Sequence, residues 1–160
     1  MIAQAEGGRE YTCTMLTDDE LVAGFESATL EAFPHADHVR LTIIYLARVG
    51  REATERKLFE GLQRFAAAKG VPQKFHVTMT VAWIALVEAA LAAHPSARNP
   101  AALVAVCPEL LDRDALLRFY AAERLQSDAA RERWVAPDRP IRIDPQSNAA
   151  TDRGAPVKGI

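Results

Sequence analysis

The sequence predicts an all-α fold, an up-down bundle of about four main helices followed by short C-terminal ones. Three observations carry that prediction. Apolar residues recur at spacings of three and four over most of the chain. Capping residues and prolines stand where these runs begin, and glycines where they stop. No run alternates apolar and polar residues as a half-buried strand does.

Taken in order, residues 1–16 read as a tail. Thr17 and Glu20 form a capping box that opens a first helix running to about Phe33, with Leu21, Phe25, Ala28 and Ala32 on one stripe. Pro34 ends it and fits the first position of a second helix, which runs to about Val49 before Gly50. A third helix covers about Glu52 to Lys69, with Leu58, Leu62 and Phe65 on its inner stripe, and Gly70 closes it. The fourth, about Gln73 to Ala93, is the most apolar and belongs at the centre. Asn99-Pro100 caps a short helix to about Val106, Asp112 another through about Leu125, and Ser127 a last one from Asp128 to Val135. Residues 17–136 thus form one helical domain, and 137–160 a wrapping or disordered tail.

Bulk composition narrows the function. The chain has 160 residues, 49% of them hydrophobic, which suffices for a core without disulfides or structural metal. A net charge of −2 with no basic stripe argues against nucleic acid as the main partner. Cys13 and Cys107 give neither a disulfide framework nor a thiolate zinc pattern. No apolar run is long enough to span a membrane, and residues 1–16 lack the pattern of a secretory signal, so a cytoplasmic location is expected. A small-molecule substrate and a homodimer remain the open partner classes.

Three of the four histidines make the candidate site. If helices joined by short loops pack antiparallel, the end of the first helix and the starts of the second and fourth share one end of the bundle. Glu31, His35, His38 and His76 then gather there. His35 and His38 are three apart and share a helix face. Three neutral imidazoles suit a divalent transition metal (zinc, iron or copper) with an open position. Glu31 would be a fourth ligand or the general base, hence the candidate catalytic residue. A zinc-bound water would reach a pKa of about 7, fit for hydrolysis or hydration, whereas iron or copper would suit oxygen chemistry. His94 lies 18 residues beyond His76, roughly 27 Å along a helix, and is excluded.

Two other readings of the same residues stand beside this one. The histidines serve a metal-free acid/base pocket with Glu31, or they are structural members of a non-catalytic helical interaction module. Lys74, Thr78 and Arg40 are secondary candidates for lining a pocket. Tyr45 and Trp83 read as core, and Arg131, Arg133 and Trp134 as solvated residues or anchors for the tail.

The strings Phe33-Pro34-His35-Ala36-Asp37-His38-Val39-Arg40, Lys74-Phe75-His76-Val77-Thr78-Met79-Thr80 and Ala129-Ala130-Arg131-Glu132-Arg133-Trp134-Val135-Ala136-Pro137-Asp138 resemble signatures of a group of small bacterial helical proteins of uncharacterised activity. That resemblance spans about residues 17–140 and implies a bacterial helical domain without implying a reaction. In helix number and three histidines the chain also resembles DinB-like metal-binding bundles. It departs from them because its third histidine lies mid-chain.

Overall fold

The computed structural model describes residues 15–145, and over these the protein is an all-α bundle. Its helices are α1 (Asp18–Glu26), α2 (His35–Ala68), α3 (Val77–Ala93), α4 (Pro100–Val106), α5 (Ala122–Leu125) and α6 (Asp128–Glu132). Single 3-10 turns lie at Pro72–Lys74, Pro108–Leu111 and Ala115–Arg118. The expected tail readings for residues 1–14 and 146–160 lie outside the described residues.

The capping box forms as read. Thr17 N donates to Glu20 Oε2 (2.7 Å) and Glu20 N to Thr17 Oγ1 (3.2 Å). The first helix stops at Glu26, seven residues short of the expected Phe33. Ala28 sits in the left-handed region at φ 55°, Thr29 N donates to Gly24 O (2.9 Å), and Ala28 N to Phe25 O (3.1 Å). This is a Schellman closure with alanine where glycine is usual. Its effect is to bring Leu30 down over Gly24, where a Cβ would collide with the leucine side chain.

Gly50 breaks α2 in two, at φ 74° and ψ 176°. The segments 35–49 and 51–68 fold back on one another. Phe33 and Phe65 have ring centroids 5.5 Å apart, whereas a straight helix would put positions 35 and 65 about 45 Å apart. Thr54 is fully buried and restarts the ladder by donating from Oγ1 to Gly50 O (2.7 Å). Glu26 ties α1 to this hairpin: Oε1 accepts from Tyr45 OH (3.0 Å) and Lys57 Nζ (2.9 Å), and its carbonyl from Arg64 (2.7 Å).

The core has two parts that share α3. Leu21, Phe25, Leu41, Tyr45, Leu58 and Ile84 pack between α1 and the α2 hairpin. Ile43, Ala82, Leu86, Leu103, Leu110, Leu116 and Leu125 pack between the 35–49 segment, α3 and the C-terminal elements. The 3-10 turn Pro72–Lys74 replaces the expected first turn of the fourth helix, and α3 starts at Val77. The helix expected from Asp112 to Leu125 is instead the 3-10 turn Ala115–Arg118 and the single turn of α5. The last helix ends at Glu132 rather than Val135, because the backbone of Arg133 and Val135 bonds to Thr78 instead.

Candidate functional site: three histidines on three backbone carbonyls

His35 is the first residue of α2 and follows Pro34, which offers no side-chain cap. Its Nε2 lies 2.9 Å from Leu110 O. A carbonyl only accepts, so Nε2 carries the proton. The ring packs against Trp83, with centroids 4.6 Å apart. His38, one turn later, donates from Nε2 to Phe33 O (3.1 Å) and stacks on the Phe33 ring at 3.9 Å. Phe33 touches Phe25 in turn, at 5.1 Å, so this histidine fixes the aromatic plug that closes the hairpin.

His76 is the N-cap of α3. Its Nδ1 accepts from Met79 N (3.2 Å) and its Nε2 donates to Leu125 O (2.9 Å). Both ring nitrogens are engaged, and no lone pair remains for a metal. Glu31 lies in the loop between α1 and α2, not in a last helical turn. It is exposed, and its carbonyl accepts from Lys69 Nζ (3.0 Å).

The structure therefore brings His35 and His38 together and does not bring His76 or Glu31 to them. Among the described residues, no three of His, Cys, Asp and Glu gather in a way that would hold a metal ion. Two physical reasons account for the departure from the expected convergence. Sharing an end of a bundle does not mean sharing a face: His76 caps its own helix and turns toward α5. In addition, His35 is level with Trp83, seven residues along α3 from His76, and seven residues of helix span about 10 Å.

Burial disfavours the charged form of all three rings. It lowers the pKa of His38 to about 4, helped by the adjacent His35 and opposed by the Phe33 carbonyl. Burial likewise lowers His35, with the Leu110 carbonyl opposing, Arg113 reinforcing and Asp112 opposing. His76 is lowered by burial against the Leu125 carbonyl, and Arg131 lowers it further.

Of the secondary candidates, Arg40 pairs with Asp18 (2.7 Å), and Tyr45 is core. Thr78 matters more than its sequence suggests. It is 0% exposed, and its hydroxyl donates to Arg133 O (2.8 Å) while accepting from Val135 N (3.0 Å). Arg131 donates to Gln73 O (2.8 Å). Nothing local to position 78 announces partners 55 and 57 residues away. The second and third sequence strings are thus the two halves of one clamp.

The surface carries two open, shallow depressions, one of about 440 Å³ lined by Glu52, Glu55, Arg56, Phe59 and Glu60, the other of about 140 Å³ beside Arg48 and Arg98. Neither is lined by a histidine. No family model matches the chain, and no curated protein or solved structure matches it.

Proposed function

We propose that this chain is a non-catalytic helical interaction module whose histidines hold the fold together. The observation that carries this reading is that His35, His38 and His76 each spend Nε2–H on a backbone carbonyl. These bonds tie the start of α2 to the Phe33 carbonyl and to the Pro108–Leu111 turn, and the start of α3 to the short helix α5. An imidazole is well suited to the task, because it fills apolar space while supplying one donor to an otherwise unpaired carbonyl. His76 has both ring nitrogens engaged, and among the described residues no third His, Cys, Asp or Glu gathers beside His35 and His38 to complete a metal site.

Nitrogen-resolved NMR of the imidazole rings tests the reading on the intact protein. All three histidines are expected as Nε2–H tautomers at neutral pH, with ring shifts unmoved by stoichiometric zinc. Metal analysis of untagged protein should find substoichiometric metal. Stoichiometric metal, or a zinc-dependent shift shared by His35, His38 and His76, would sink the proposal. Because the readout is on native protein, it does not depend on histidine variants that might not fold.

A further inference from the structure

Around the turn Pro72–Lys74 two unlike surfaces meet. On one side Arg131 donates to Gln73 O (2.8 Å), and the chain beyond it presents Trp134, 42% exposed. The backbone on both sides of this indole is pinned. Arg133 O and Val135 N bond to Thr78, and Val135 O accepts from Tyr120 OH (3.0 Å). A large side chain on a fixed backbone loses little freedom when covered, and Trp and Arg are the types that dominate interface energetics. Arg131 and Arg133 flank Glu132, and the exposed Arg133 sets a guanidinium next to the indole in sequence.

On the other side of the turn Phe75 meets Phe59 edge-on at 5.5 Å. Phe59 lies in the hollow of about 440 Å³ whose rim carries Glu52, Glu55, Glu60 and Arg56. Three carboxylates against one guanidinium make the hollow acidic. Glu55 is shared with Arg51 at 3.6 Å, while Glu52 and Glu60 are exposed. An exposed indole with Arg133 next to it in sequence can meet an acidic, aromatic-lined hollow on a second copy under a two-fold rotation.

We propose that this surface joins two copies of the chain, the Trp134 of each seated in the Phe59 hollow of the other, with Arg133 facing the partner subunit's Glu60. The proposal rests on the interaction-module reading and names its partner. The two-fold geometry supplies its own test. Sedimentation of the full chain across the micromolar range at low salt should show a monomer–dimer equilibrium that weakens as salt screens the pairs. Arg133→Glu and Glu60→Arg should each weaken dimerisation about tenfold or more, since each places like charges opposite one another at both contacts. Mixing the two variants should restore the dimer, because in the mixed pair both contacts again join opposite charges. A chain monomeric throughout that range, or a dimer indifferent to both substitutions, would overturn the interface. Neither result bears on the histidine tautomers, so failure of the interface is distinguishable from failure of the interaction-module reading.

Discussion

At position 28 an alanine occupies the left-handed region at φ 55° because the chain must turn there to lay Leu30 over Gly24. A Cβ in that region costs about 1 kcal/mol, part of which glycine would return through a freer unfolded chain. Ala28→Gly is therefore expected to stabilise the protein by roughly 0.5 kcal/mol, read as a higher urea midpoint at unchanged slope. His38 makes the opposite kind of statement, about pH. Its folded pKa, about 4, lies below the ordinary value of 6.5. Between those two values the unfolded chain binds more protons than the folded one, so stability falls as pH falls through that window and is flat above it. The upper bound is about 3 kcal/mol for the full shift, and the lowered His35 and His76 act in the same direction. Urea unfolding at neutral and mildly acidic pH should show this loss, and His38→Phe should flatten it. An unchanged slope in that variant would show that other groups carry the acid sensitivity.

Among the elements, the α2 hairpin depends on one residue. Gly50 has φ 74° and ψ 176°, with nothing within 4 Å of where a Cβ would stand. The cost of substitution is therefore conformational rather than steric. That region is essentially closed to residues with a Cβ, at about 1–3 kcal/mol. Gly50→Ala should destabilise by about 2 kcal/mol, and Gly70→Ala, at φ 71° with nothing within 4 Å of its Cβ position, makes the same substitution at the turn between the 51–68 segment and α3. Calorimetric midpoints of the two variants would compare the two turns directly. Glu26 holds the same hairpin from outside through Tyr45, Lys57 and Arg64, and the Lys57 ammonium is the main reason its carboxyl titrates below the usual range.

For the whole molecule, the decisive contact joins α3 to the last described stretch. Thr78 receives and gives a hydrogen bond to the 133–135 backbone. Tyr120 holds Val135, Phe119 O accepts from Asp138 N and Arg139 N, and Ile141 and Ile143 pack on the core. Thr78→Val keeps the shape and removes the hydroxyl, leaving two backbone groups without that partner. A loss of about 2 kcal/mol is expected, with faster amide exchange concentrated at Val135 and its neighbours. Uniformly faster exchange over the whole chain would instead mean that the stretch and the bundle unfold as one unit.

How far the sequence can be read depends on the range of the interaction. The box at Thr17 and Glu20, the Asn99 and Ser127 caps and the break at Gly50 are each decided within four residues, and each is legible. The early stop of α1 is not, because alanine at 28 looks like continued helix, and only the packing of Leu30 favours the turn. The same holds for the site. His35 and His38 lie together because they are three apart on one helix, a local fact. His76 shares their bundle end without sharing their face, and the first helix ends too soon to carry Glu31.

By itself, then, the sequence determined an all-α fold, the position of its main break and an expectation of neutral histidines near helix starts. The tertiary structure alone decided where those rings point. Leu110 and Leu125 lie 75 and 49 residues from their imidazoles. A hydrogen bond across such a separation leaves no trace in local spacing, because it exists only once the hydrophobic stripes have set the helices side by side.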